Sequence, residues 1–93
     1  MHSLERTRED WLAALTRDVR GSSAVGYRDL AVALRAAIAS GDVPIGTRLP
    51  PQRELAGWLS IGRTTVVGAY NLLRAESLIV MKQGAGTWVV RRP

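Results

Sequence analysis

The 93-residue chain has no cysteine and a single histidine, His2. The first absence removes disulfides, thiolate metal sites and thiol catalysis; a small extracellular domain more often carries such staples. The second leaves a Ser-His-Asp arrangement without a positioned base, because His2 stands on a terminus expected to fray. A metal site lacks both a thiolate and a second imidazole. No run approaches the roughly 18 apolar residues of a membrane helix. The N-terminus, Met1-His2-Ser3-Leu4-Glu5-Arg6, lacks the apolar centre of a signal peptide. No G-K-[ST] phosphate loop, internal repeat or low-complexity tract is present. Gly84-Ala85-Gly86 is followed by a β-rich run rather than the helix that a dinucleotide fingerprint needs. Glu9-Asp10 reads as a solvated helix face, not a catalytic pair. The length is too short for a doubly wound or barrel enzyme. These gaps point to a non-enzymatic protein with no cofactor in this chain, and cytoplasmic by default.

Lysine is nearly missing as well. Of 13 basic residues, 12 are arginine and Lys82 is the exception, against 8 acids, for a formal charge of +5. The charge is unevenly placed. In residues 1–26, four arginines balance Glu5, Glu9, Asp10 and Asp18. The whole excess lies in residues 27–93, where nine basic residues face Asp29, Asp42, Glu54 and Glu76. An isoelectric point near 11.1 favours a polyanionic partner. Arginine suits that role because its planar fork contacts phosphate or guanine through two hydrogen bonds at once.

Hydrophobic spacing divides the chain into a leader, residues 1–26, and a basic domain, residues 27–93. In the leader, Trp11, Leu12, Leu15 and Val19 recur at helical spacing, with Ser3 as a candidate cap and Gly21 as a stop. Gly21-Ser22-Ser23 reads as a connector. The apolar stripe packs on its own domain, on a dimer partner or on a neighbouring domain. Tyr27 to Ser40 forms a second amphipathic helix, ended by Gly41. Thr47-Arg48-Leu49 is short and β-compatible. Pro51 can open a third helix with Leu55, Ala56 and Leu59 on its apolar face. After Ser60-Ile61-Gly62, a fourth helix runs from Arg63 to Glu76. Leu78–Met81 and Thr87–Val90 then make a hairpin about Gly84-Ala85-Gly86. Two short helices across a three-residue turn are a helix-turn-helix. The following hairpin makes the fold mainly α with a small antiparallel β wing, a winged helix-turn-helix.

This order assigns chemistry to particular side chains. Arg63, Thr64 and Thr65 open the last helix, where a recognition helix presents side chains to base edges. Arg63 can take guanine O6 and N7, or a phosphate; the threonine hydroxyls and methyls can serve phosphates or bases, or merely cap the helix. Arg53 lies opposite the Leu55–Leu59 face and is suited to groove or backbone contact, with a pairing to Glu54 as the alternative. The tip Lys82-Gln83-Gly84 can approach a groove closely.

The segment Leu49-Pro50-Pro51-Gln52-Arg53-Glu54-Leu55-Ala56, followed by Ile61-Gly62-Arg63-Thr64-Thr65-Val66, resembles the signature of GntR-type bacterial transcription factors. Gln83-Gly84-Ala85-Gly86-Thr87-Trp88-Val89 is similar to that family's wing. Within the family, Pro-Pro-Gln-Arg and Ala69-Tyr70-Asn71-Leu72-Leu73 look most like the MocR subfamily; a shorter YtrA-like regulator is similar in the same stretch. The resemblance implies double-stranded DNA as the partner, with contacts at Arg53, Arg63, Thr64, Thr65, Gln83 and Gly84. It also implies homodimers. For a MocR-like parent it implies a C-terminal aminotransferase-like domain that binds pyridoxal phosphate and lies outside these residues. Three positions depart from the pattern: Pro51 and Gly62 replace capping hydroxyl residues, and Val67 replaces an arginine that reads DNA in some members. Trp88 stands where phenylalanine is common and is expected in the core; Trp58 packs locally or meets another domain or subunit. A protein-interaction or dimerisation module built on a winged helix is the alternative function, favoured by Trp11 and Trp58. Binding to structured RNA is a further one.

Overall fold

A computed structural model of the chain describes residues 7–15 and 26–93. Ser3, Leu4, Val19 and the Gly21–Ser23 connector therefore lie outside the described residues. The elements are α1 (Arg8–Leu15), α2 (Tyr27–Ser40), β1 (Arg48–Leu49), α3 (Gln52–Leu59), α4 (Arg63–Ala75), β2 (Ile79–Lys82) and β3 (Gly86–Val89). The three strands form one antiparallel sheet in the order β1-β3-β2.

Local chemistry explains where the helices start and stop. Thr7 and Asp10 cap α1 reciprocally: the Thr7 N–H donates to Asp10 Oδ2 at 3.0 Å, and the Asp10 N–H donates to Thr7 Oγ1 at 3.1 Å. At α2 the Gly26 N–H donates to Asp29 Oδ2 at 2.9 Å. Gly41 ends α2 as expected. Pro51 proves to be the residue just before α3 rather than its first turn, and no side chain caps that end. Ser60 and Ser77 end α3 and α4 in the left-handed region, at φ 59° and 63°. The next N–H bonds back each time, Ile61 to the Ala56 carbonyl at 3.0 Å and Leu78 to the Leu73 carbonyl at 3.0 Å.

That second turn corrects the hairpin. Leu78 closes α4 and buries its side chain instead of opening a strand. The strands consequently cover 79–82 and 86–89, not 78–81 and 87–90.

One core unites the layers. Leu30, Leu34 and Ile38 of α2, Leu55 of α3, Val66 and Leu73 of α4, and Ile79 and Val89 of the sheet are all buried in it. Trp11 and Leu15 of α1 belong to the same cluster, so the described part of the leader's stripe packs on its own domain. Trp58 is half-buried against that core. Trp88 corrects an expectation. It is only half-buried, because Val89 fixes the phase of β3 and its neighbour must face the other side of the sheet.

At the far end of α4, Arg35 of α2 grips Glu76 through two bonds, Nε to Oε1 at 2.9 Å and an NH2 to Oε2 at 2.7 Å. Those hydrogen bonds hold the Glu76 carboxyl below its usual pKa. Arg91 donates to the Glu76 backbone carbonyl, which ties the last residues to the same corner.

Candidate nucleic-acid interface

The helix-turn-helix and the wing enclose a groove of about 570 Å³. Arg53 of α3 and Arg63 of α4 line it together with Arg48 of β1; Met81 and Thr87 of the hairpin border it. All three arginines are exposed, and none forms an ion pair among the described residues. Arg53 therefore does not pair with Glu54, the acid of the same groove. Three guanidinium groups against one carboxylate give the groove a positive field, concentrated by the apolar walls around it.

The first turn of α4 presents the remaining candidates. Arg63 and Thr64 are exposed and Thr65 is half-buried. Gly62, in extended backbone at φ −71° and ψ 146°, precedes the helix and offers no side-chain cap. No hydrogen bond among the described residues engages the Thr64 or Thr65 hydroxyl. The positive end of the helix dipole points the same way.

Tyr70 fixes the geometry of this site. Its hydroxyl donates to the Pro50 carbonyl at 2.7 Å, across 20 residues of sequence. The side chain is 1% exposed, and burial pushes the phenol pKa well above the tyrosine range, so the donor keeps its proton. The bond pins the corner where β1 turns into α3 against the middle of α4. Arg48 and Arg53 are thereby held at a set distance from Arg63. Tyr70→Phe is expected to cost about 1–3 kcal/mol, because the Pro50 carbonyl loses its donor in a buried setting. A urea melt of the variant that matched the unsubstituted chain would remove Tyr70 from this role.

The wing tip is more open. Lys82 ends β2, and Gln83 and Gly84 lie exposed in the turn. Gly84 has φ 78°, with nothing within 4 Å of where a Cβ would stand, so its glycine serves the backbone turn. Lys82, Gln83 and Gly84 do not line the groove that Arg53 and Arg63 share. Arg48 does, although neither the helical spacing nor the family pattern singles it out. Its signal was its place beside buried Leu49 just before Pro50-Pro51: on a strand the neighbour of a buried residue faces outward.

Among the described residues, no group of His, Cys, Asp and Glu side chains could hold a metal ion. Nor is any helix long and apolar enough to cross a membrane. The chain is 42% identical over 67 residues to a Rhizobium meliloti protein named probable rhizopine catabolism regulatory protein MocR, covering 72% of this chain and 14% of that one. It is 31% identical over 85 residues to the Uxu operon regulator of Haemophilus influenzae, covering 91% of this chain and 32% of that one. The chain thus spans a third or less of these relatives. A solved GntR-family transcriptional regulator from Pseudomonas syringae superposes with a TM-score of 0.73 at 30% identity, over 90% of this chain and 35% of that one. YtrA from Sulfolobus acidocaldarius, a GntR-family transcription factor, gives 0.68 at 33% identity, over 78% of this chain and 77% of that one. The names are those of regulators, in line with the enzyme chemistries that the side-chain inventory excluded. Residues 26–89 match the family described as bacterial regulatory proteins, gntR family, and the chain belongs to that family as its winged-helix DNA-binding domain.

Proposed function

We propose that this domain reads duplex DNA for a MocR-type bacterial regulator, with the first turn of α4 in the major groove and the β2–β3 wing beside it. The observation that carries the reading is the convergence of Arg53 and Arg63 on one groove walled by the wing. Arg63, Thr64 and Thr65 contact base edges and phosphates. Arg53, Lys82, Gln83 and Gly84 hold the backbone. Two copies on a repeated or palindromic site give the specificity that one small domain lacks. The longer protein acts in the cytoplasm, on the nucleoid.

In a MocR-like parent, an aminotransferase-like domain holding pyridoxal phosphate follows this domain. That cofactor is carried by a lysine imine, and residues 1–93 do not fit it. Their sole lysine, Lys82, stands exposed at the end of β2, where nothing encloses a ring.

Selection of bound duplexes from a random pool tests the reading. Arg63→Ala is expected to cost about 1–3 kcal/mol of binding and to relax preference at one base position. An unchanged selection profile would take Arg63 out of the site. Failure to bind any duplex at low salt would favour the protein-interaction module, and preference for a matched RNA would favour RNA recognition.

A further inference from the structure

The sheet has a second face whose centre, Trp88, lies outside the groove. The register pairs Arg48 with Trp88, Trp88 with Val80, and Gly86 with Lys82. These residues alternate with buried Leu49, Ile79 and Val89, so they share the side turned away from the core. The Trp88 indole is the centre of that face. The Arg48 guanidinium carbon lies 5.8 Å from its ring centroid and the Lys82 ammonium 5.9 Å. Neither cation has a carboxylate partner among the described residues.

A cation held by a ring differs from one held in a salt bridge. The ring's quadrupole orders it without neutralising it, so both positive charges stay available to an anion. Gly86 adds a further condition. A Cβ there would stand 2.8 Å from Arg48 Nε and 3.2 Å from one of its terminal nitrogens. The guanidinium therefore lies against the Gly86 backbone, in the space that a Cβ would take from it. Arg48 also borders the groove that holds Arg53 and Arg63, so the ladder continues the positive wall of that groove around the wing's edge.

We propose that Arg48 and Lys82, ordered on Trp88, form a phosphate-binding site on the wing for the DNA backbone flanking the base pairs that α4 reads. Arg48 and Lys82 make the contacts, and Trp88 is a positioning residue that acts through both. The inference rests on the DNA-reading function and adds Arg48 as a contact and Trp88 as a positioning residue to the backbone role given to Lys82. The patch is continuous with the groove that holds Arg53 and Arg63, which favours the backbone of the same duplex as its occupant.

The test uses the 93-residue chain, a duplex recovered by selection, and the salt dependence of binding. Arg48→Ala and Lys82→Ala should each weaken binding evenly across sequences and reduce the slope of log K against log salt by about 0.9. Trp88→Leu keeps both cations but should weaken binding several-fold, and Trp88→Phe should recover most of it. A single uncharged methylphosphonate at the contacted flanking position should reproduce the Arg48→Ala loss and add nothing to that variant. Unchanged slopes for Arg48→Ala and Lys82→Ala, while Arg63→Ala still weakens binding, would overturn the wing site and leave the DNA reading standing. Wild-type affinity and slope in Trp88→Leu would overturn the positioning role. Should Trp88→Leu fail to fold, the slopes of the two cation variants decide. A chain that binds no duplex at all fails on both counts.

Discussion

Trp11→Ala is expected to lower the stability of the whole domain by about 3–5 kcal/mol, the range for removing a buried large aromatic side chain. Trp11 is 1% exposed, although it sits on a helix of only eight residues. Helices shorter than about 12–15 residues are marginal alone in water. What keeps α1 helical is therefore the burial of Trp11 and Leu15 against α2 and α3. The substitution removes the larger of these anchors and leaves a cavity between three helices. Domains of this size are stable by about 5–15 kcal/mol in all, so the loss is a large share of the total. The melting temperature should fall by about 4–8 °C for each kcal/mol. Leu12→Ala, on a half-buried neighbour, serves as the comparison and should cost much less. A Trp11→Ala chain that melts within about 1 kcal/mol of the original, well under the expected cavity cost, would show that α1 is not part of the cooperative unit.

The second large effect is a difference of sign. Gly57→Ala and Gly68→Ala make the same chemical change inside two helices. Alanine is intrinsically better than glycine in a helix by about 1 kcal/mol. At exposed Gly57 nothing lies within 4 Å of the new Cβ, so α3 should gain roughly 0.5–1 kcal/mol. At Gly68 the new atom would stand 2.8 Å from both Cβ and Cγ of Tyr27. The Cβ of Tyr27 is fixed by its backbone and cannot rotate away, so α2 and α4 must separate. Overpacking of this kind costs about 1–3 kcal/mol against a propensity gain of about 1 kcal/mol, so the net change is a loss of up to about 2 kcal/mol. Chemical denaturation of the two variants side by side decides it. Stabilisation by both would mean that the helices have slack at their crossing.

Much of this was legible before any coordinates. The four helices follow from apolar spacing, and Gly41 and Gly62 mark two of their boundaries at the residue. Where legibility failed, geometry that a linear pattern does not carry was responsible. The hairpin slipped by one residue because Ser77, not a glycine, takes the left-handed turn and draws Leu78 into the core. An aromatic in a β run reads as core, yet Val89 sets the phase of β3 and leaves Trp88 half-buried. Arg48 carries only the faint signal of its place beside Leu49, because a two-residue strand repeats no alternation. Tyr27 opens the apolar stripe of α2, yet it is 39% exposed and spends its packing on Gly68. The sequence marks Arg53 and Arg63 each on its own. That they face one groove depends on the Tyr70–Pro50 bond, a contact between residues 20 apart.

The corner formed by Glu76, Arg35 and Arg91 gives α4 a mechanical character. The helix is 13 residues long, so about 20 Å separates its two tips. Arg63 is at one tip, and the clamp that holds the chain's closing residues is at the other. Arg91 is therefore linked to Arg63 through the length of a single helix. Arg35 ties the same tip to α2, so that end of the rod is held from two sides.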